Sequence, residues 1–191
     1  GYQALAAAAD SQFCVAIGKD AGLSVTSGDA NTLIGYHCGD AITTGANNTA
    51  MGWNALGAIT DVSACTAFGY SAGSANTSGT SNVYVGAYCG DATTTGAGNT
   101  FVGDAAGGAN ISGGNNTFVG FQAGDANTTA SNNTAVGYGA LGANITGTMN
   151  TAVGQGAGLL VTTAENDTLI GFLAGDALTT GGGNTHIGGG A

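Results

Sequence analysis

One glycine recurs every 17 residues along the whole chain of 191 residues, with no copy missing and no insertion between copies. Self-similarity at a short fixed period is typical of repeat proteins, in which each repeat is one structural unit stacked on its neighbours. The chain is therefore predicted to be a single array of eleven repeats over residues 1–191. We number the repeat so that this glycine is position 5. The glycines are Gly1, Gly18, Gly35, Gly52, Gly69, Gly86, Gly103, Gly120, Gly137, Gly154, Gly171 and Gly188.

Two other positions keep their side-chain size from repeat to repeat. Position 4 is always a larger apolar residue, and position 8 is alanine in ten of twelve copies and cysteine in the other two. We interpret this constancy as packing in the interior. Positions 6 and 7 vary freely, so we expect them to face solvent or a lateral neighbour.

The repeat predicts an all-β solenoid, or β-roll, with one coil per repeat. Positions 1 to 4 mostly read Asn-Thr-x-Val, and this β-branched content favours a short strand. Glycines at positions 5, 9 and 15 mark the corners, whereas in a helix each would cost about 1 kcal/mol relative to alanine. Coils stacked at about 4.8 Å would form a rod about 50 Å long.

Stacking would place equal residues above one another, so polar positions are expected to form ladders. Threonine at positions 2 and 13 predicts hydroxyl ladders, and asparagine at position 1 predicts an amide ladder. The asparagines of this ladder include Asn31, Asn48, Asn99, Asn116, Asn133 and Asn150. The repeats run to both ends of the sequence, and solenoid ends expose strand edges unless they are capped. We therefore expect a window of a longer array or a fibre subunit.

Composition excludes several function classes. One lysine, no arginine and a net charge of −10 leave no basic surface for nucleic acid or anionic lipid. No apolar run is long enough to span a membrane, so no membrane insertion is expected. Only 6% of the residues are charged, which leaves few groups for an active site. The chain is predicted to be no enzyme and to need no cofactor.

The four cysteines are regularly placed. Cys14 and Cys65 occupy position 1, and Cys38 and Cys89 occupy position 8. Cysteine as a small apolar residue is the favoured interpretation. Two disulfides between adjacent coils, Cys14–Cys38 and Cys65–Cys89, are the alternative, together with pairing between chains.

Aspartate at position 10 is the one candidate for calcium, in the repeats that contain Asp40, Asp91, Asp125 and Asp176. One carboxylate per site falls short of the six to eight oxygens that Ca²⁺ takes, so a turn aspartate bound to its own backbone is the favoured role. Asn-x-Ser/Thr sequons recur at position 12, which leaves glycosylation open. Threonine at positions 13 and 14 suggests ice binding, and the outward pair at i and i+2 that a flat face needs occurs only at Thr93 and Thr95.

Two segments carry a resemblance to known families. Residues 133–137 and 150–154 read Asn-Thr-Ala-Val-Gly, which resembles the repeats of bacteriophage tail-fibre proteins. Residues 14–18 read Cys-Val-Ala-Ile-Gly, which is similar to the repeats of trimeric autotransporter adhesin heads. The resemblance implies β-roll rods, often trimeric, that lie outside the cell or on the virion surface and act as spacers or adhesins.

The first function hypothesis is therefore a structural, self-assembling extracellular fibre whose partner is itself. The second is a tail-fibre or cell-surface adhesin shaft that binds a receptor or glycan through positions 6 and 7. The third is an ice-binding solenoid. In none of them is a residue assigned catalytic chemistry.

Overall fold

The computed structural model describes residues 1–191 and confirms the all-β solenoid. Eleven strands of three residues each follow one another along the chain. They are β1 Val15–Ile17, β2 Thr32–Ile34, β3 Thr49–Met51, β4 Thr66–Phe68, β5 Val83–Val85, β6 Thr100–Val102, β7 Thr117–Val119, β8 Thr134–Val136, β9 Thr151–Val153, β10 Thr168–Ile170 and β11 Thr185–Ile187.

All eleven strands form one parallel sheet in sequence order, β1 to β11. Each residue pairs with the residue 17 positions later, as Phe101 pairs with Phe118 and Val102 with Val119. Because no register slip occurs, equal repeat positions lie side by side along the rod. We number each coil after its strand, so that coil 1 spans residues 14–30, coil 6 spans 99–115 and coil 11 begins at 184.

The turns hold the coils together more than the strands do. Of 126 backbone hydrogen bonds, 106 lie outside the strands. Most of these run from one coil to the next around the circumference, as from Gly107 N to Ala123 O at 2.9 Å. The solenoid is therefore stabilised by ladders along every side of the coil, with the short strands supplying one of them.

Glycine at position 5 has a steric cause. From Gly18 to Gly188 this residue has φ between 127° and 146°. A Cβ built on Gly103 would lie 2.4 Å from the carbonyl oxygen of Gly120 in the next coil. Side chains rarely adopt that φ and no Cβ fits the space, so the corner requires glycine.

The interior is lined by positions 3, 8 and 12, which corrects one prediction. The middle residue of each strand points inward, and Phe101 and Phe118 are fully buried. Position 4 points outward instead, because successive strand residues face opposite sides. Constant size at position 4 was thus a wrong indicator of burial, whereas position 8 is interior as predicted, with Ala106 and Ala123 fully buried.

The asparagines at position 1 are buried and form a ladder that passes through the backbone. Asn116 N donates to Asn99 Oδ1 at 3.0 Å, and Asn99 Nδ2 donates to the Gly113 carbonyl at 2.9 Å. The same pattern recurs at Asn31, Asn48, Asn133 and Asn150. Side-chain amides therefore tie each corner to the coil above it, rather than bonding directly to one another.

Candidate functional site

The outward side of the sheet carries a continuous apolar ladder. We call the outward side chains of positions 2 and 4 in β1 to β11 the strand face. None of its position-4 residues is buried, and Ile17, Met51 and Ile187 are 57%, 44% and 68% exposed. The position-4 ladder consists of Ile17, Ile34, Met51, Phe68, Val85, Val102, Val119, Val136, Val153, Ile170 and Ile187.

Beside that ladder runs a second one, made mostly of threonine. Position 2 is threonine in nine of the eleven strands and valine in β1 and β5. These residues are half-buried, except for the more exposed Val15 and Thr185 in the first and last strands. No strand has a charged residue at position 2 or 4, so the whole strand face is neutral in a chain of net charge −10.

An aromatic column occupies a different side of coils 2 to 5, formed by Tyr36, Trp53 and Tyr70 at position 6 and Tyr88 at position 7. All four rings are between 41% and 48% exposed. Trp53 and Tyr70 stack with ring centroids 4.8 Å apart, and Tyr36 lies 6.5 Å from Trp53. Trp53 and Tyr70 therefore cover each other's ring faces, whereas Tyr88 meets Tyr70 edge-on. Phe121 and Tyr138 form a second, shorter stack at 5.6 Å.

A charged cluster lies at the start of the aromatic column. Lys19 Nζ is 3.0 Å from the Asp20 carboxylate and 5.1 Å from the centre of the Tyr36 ring. The hydrogen bond to Asp20 raises the pKa of Lys19. His37 Nδ1 bonds to Asp40 at 2.5 Å, so one of the four calcium candidates is already paired with a histidine.

Two other calcium candidates lie close to each other. Asp91 and Asp125 occupy position 10 of coils 5 and 7, on either side of Gly108. A Cβ on Gly108 would be 2.9 Å from Asp125 Oδ1 and 3.8 Å from Asp91 Oδ1. Partial burial raises the pKa of both carboxyl groups, and the charge of Asp125 raises that of Asp91 further. Asp176 lies at the same position of coil 10, and nowhere do three or more His, Cys, Asp or Glu side chains gather as a metal site.

All four cysteines are free thiols, so neither Cys14–Cys38 nor Cys65–Cys89 is formed. The position-1 sulfurs instead contact the position-15 carbonyl of the same coil. Cys14 Sγ is 3.3 Å from Gly28 O, and Cys65 Sγ is 3.4 Å from Gly79 O. Cys89 instead donates to Phe101 O at 3.2 Å. Burial raises the pKa of Cys38 to about 11 and that of Cys89 to about 12.

Position 12 points into the interior, which removes two expected surface sites. The sequon asparagines at this position, Asn76, Asn110, Asn127 and Asn144, are fully buried and out of reach of a glycosyltransferase in the folded chain. Thr93 is buried as well, so Thr93 and Thr95 do not form an outward pair. At position 13 the hydroxyls are already bonded, as Thr94 Oγ1 donates to Ile111 O at 3.2 Å. The outward pair of threonine and apolar residue is at positions 2 and 4.

The alternation of residues in each strand indicates the strand face, although the constant size of position 4 suggests burial. In Thr-x-Val the outer two residues belong to one side of a strand and the middle residue to the other. Position 3 is apolar in ten strands and varies from alanine to phenylalanine, with His186 in the last. A buried position that varies in size needs a second position that compensates, and that position is 9.

The chain forms no helix with the length and hydropathy of a membrane span. Comparison with protein-family models, with curated proteins and with solved structures gave no match.

Proposed function

We propose that this chain is a structural rod that associates with further copies of itself through the strand face. The observation that carries the proposal is the unbroken apolar ladder at position 4, exposed or half-buried in all eleven strands. The assignment needs no catalytic residue and no cofactor. We place such a fibre outside the cell or on a virion surface, in line with the tail-fibre and adhesin-head resemblance of its repeats.

Charge supports association at this face. The chain carries eleven acidic residues and one lysine, and none of them lies at position 2 or 4 of a strand. Two copies of net charge −10 repel one another, and a neutral side allows the closest approach at the lowest electrostatic cost. Apolar patches of this extent on soluble proteins mark interaction sites.

The dimensions of the strand face suit a second copy. Eleven strands give a strip about 50 Å long, and two outward positions with their side chains make it roughly 10 to 15 Å wide. The strip therefore offers several hundred Å² per copy, near the roughly 800 Å² that each partner of a stable complex buries. Two sheets packed face to face would lie about 10 Å apart.

A charge placed in the middle of the strand face tests the proposal. Val102→Lys puts an ammonium group at the centre of the contact, where an unpaired buried charge is strongly unfavourable. Ile111→Lys is the matched control, because Ile111 lies in the same coil, is 46% exposed and is not part of the strand face. Analytical ultracentrifugation measures the mass of each assembly, and circular dichroism checks the fold.

We expect the wild-type chain and Ile111→Lys to assemble and Val102→Lys to sediment as a folded monomer. A wild-type chain that stays monomeric at about 100 µM would rule out self-association, since contacts weaker than this lie outside the range of stable interfaces. Unchanged mass of the Val102→Lys assembly would move the interface to another side of the rod.

Receptor or glycan binding is the second candidate function, and the exposed aromatic column favours it. Four aromatic rings on successive coils, beside the polar groups of Asp20 and His37, combine apolar contact with hydrogen-bonding groups. A glycan array with wild type and Trp53→Ala tests this role, with Phe172→Ala as a control at the same repeat position. Binding that survives Trp53→Ala would exclude the column as the site.

Ice binding is the third candidate, and it now concerns the strand face. Nine outward threonines lie in register beside apolar residues on the sheet. Because self-association would cover this side, a monomeric variant would be needed to expose it. Thermal hysteresis of a Phe68→Lys variant, whose change leaves the threonine ladder intact, measures the activity, and its absence would dismiss ice binding.

A further inference from the structure

The strand face also indicates how two copies are oriented, an inference that rests on the proposed self-association. From its pattern we infer that two copies pack strand face to strand face with their rods antiparallel, coil 6 of one copy against coil 6 of the other. The partner is thus a second copy of this chain in a defined register. The argument has two parts, the order of the two ladders and the size profile along one of them.

Symmetry decides which ladders meet. The strands run across the rod, so a two-fold axis along the rod reverses the strand direction between the two faces. With the faces aligned on position 3, position 4 of one copy would then meet position 2 of the other. A two-fold axis across the rod, parallel to the strands, reverses the rods and keeps the strand direction, so that position 4 meets position 4 and position 2 meets position 2.

Chemistry favours the second arrangement. Antiparallel rods bring Val102 and its neighbours against apolar residues, and threonine hydroxyls against threonine hydroxyls that can bond to them. Parallel rods would press the hydroxyl ladder against the apolar ladder and leave hydroxyls without partners. Burying an unbonded hydroxyl costs about 1–3 kcal/mol by protein mutational data, and the face has nine threonines per copy.

The size of the position-4 side chains points the same way. The two largest, Met51 and Phe68, lie in coils 3 and 4, whereas coils 5 to 9 have only valine. In the antiparallel register, coils 3 and 4 face coils 9 and 8, so Met51 lies against Val153 and Phe68 against Val136. Isoleucine meets isoleucine at both ends, and valine meets valine next to the centre. If parallel rods matched equal coils, Met51 would face Met51 and Phe68 would face Phe68. These large side chains would hold the valine regions of the two copies apart, whereas protein interfaces are closely packed.

Spin labels measure the orientation. If the rods are parallel, a label on Ile34→Cys in coil 2 lies near the equivalent label of the second chain. In the antiparallel pair the copy sits at coil 10, eight coils away, which is about 38 Å at the spacing of parallel strands. A label on Val102→Cys in coil 6 reports a short distance in either orientation. Cys14→Asn removes the one thiol that is not buried, and the other three are covered and protonated.

Leu160→Cys repeats the measurement without touching the interface. Leu160 is 50% exposed and lies in coil 9, outside the strand face. In the antiparallel pair its two copies are displaced by six coils, about 29 Å along the rod, whereas parallel rods have no displacement. This label keeps the test informative if a label in the strand face disrupts packing.

We expect a distance near 38 Å for Ile34→Cys and a short one for Val102→Cys in double electron–electron resonance. Short distances at both sites would overturn the antiparallel orientation and leave the self-association in place. A protein that sediments as a monomer and gives no defined distance at any site would contradict the proposed function itself. A defined assembly without a short Val102 distance would overturn both the face and the orientation.

Discussion

The middle coils and their neighbours fill the same interior in two different ways. Coils 5 to 7 have Tyr84, Phe101 and Phe118 at position 3 and glycine at position 9. On either side, alanine occupies position 3 in the pairs 50/67 and 135/152, and a leucine replaces the first position-9 glycine of each pair. The backbone path is nevertheless the same in both regions, since the strands pair without a register slip.

Contacts explain the exchange. A Cβ on Gly107 would lie 2.6 Å from the Phe101 ring, and one on Gly124 would lie 2.4 Å from the Phe118 ring. Leu56 instead extends over the next coil, where it comes within 3.1 Å of the Cβ position of Gly73. One leucine at position 9 therefore fills the space that two alanines at position 3 leave empty. An aromatic ring at position 3 instead requires glycine at position 9. The comparison teaches that interior volume is conserved between positions rather than at each position.

The largest predicted effect comes from converting the middle region into its neighbour. Phe101→Ala and Phe118→Ala remove two buried rings that stack at 4.9 Å, and each is expected to cost about 3–5 kcal/mol of the free energy of unfolding. Adding Gly107→Leu recreates the arrangement of Leu56 over Ala50 and Ala67, so the triple variant should be more stable than the double. Urea unfolding followed by circular dichroism gives the three values.

The control places the same leucine in a chain that keeps both phenylalanines. Gly107→Leu in the wild-type chain should destabilise the fold, because its side chain meets the Phe101 ring. At position 9 the backbone already tolerates leucine, since Leu56 and Leu141 have φ of 51° and 50° against 61° for Gly107. A triple variant no more stable than the double would refute the exchange of volume between positions 3 and 9.

A smaller effect is expected from the polar ladder that coils 6 to 8 have at position 12. Asn127 Nδ2 donates to Asn110 Oδ1 at 2.8 Å, and Asn144 Nδ2 donates to Asn127 Oδ1 at 3.2 Å. Coils 1 to 3 and coil 9 have valine or isoleucine there instead. Asn127→Val alone leaves the buried Asn110 Oδ1 without its donor and removes one of the two bonds that Asn144 Nδ2 donates, so it should cost about 1–3 kcal/mol.

Replacing Asn110, Asn127 and Asn144 together by valine should cost less than three times the single change. The carbonyls of Gly113, Ala130 and Gly147 would still accept a bond from the position-1 asparagines. The triple variant therefore removes the donors and acceptors within the ladder in pairs, which is close to neutral, and leaves Gly147 N without the Asn144 Oδ1 acceptor. A strictly additive loss in the same urea experiment would show that the ladder stabilises the coil through each residue independently.

These differences also show where sequence reasoning succeeds. The period of 17 and the glycine corners are written in the sequence, because a Cβ at position 5 would meet the next coil wherever a next coil follows, and they suffice to predict the solenoid. Constant size at position 4 predicts a buried Val102, which is wrong because the alternation of strand residues turns its side chain outward. Phe101 escaped notice as an interior residue because its volume is compensated by Gly107, a relation between positions that composition does not reveal.

The candidate sites were harder to predict for a related reason. Repeat position says that Asp91 and Asp125 share a side of the rod, but the gap left by Gly108 between them appears only in the structure. Likewise, the sequence around Asn110 at position 12 reads as a surface sequon, whereas the folded coil buries this side chain. Side-chain direction at the corners depends on backbone turns that a pattern of residue types does not specify.

The smallest predicted effect concerns the two carboxylates that distinguish the middle coils from their neighbours, which have Gly57, Ser74, Gly142 and Leu159 at position 10. Because the folded chain raises the pKa of Asp91 and Asp125, it holds their protons more tightly than the unfolded chain does. Their contribution to stability is therefore fully present at a pH below the unfolded pKa, near 3.9, and is lost as the pH rises through the folded pKa.

Asp91→Asn with Asp125→Asn should thus raise the melting temperature at pH 7 by about 1–3 °C, and the gain should shrink towards pH 4. Asp176→Asn is the control, because position 10 two coils before it is Gly142 rather than a second aspartate, and it should show no such gain. A double variant that melts lower than wild type at pH 7, or whose gain is the same at both pH values, would mean that the paired carboxylates do not destabilise the middle coils.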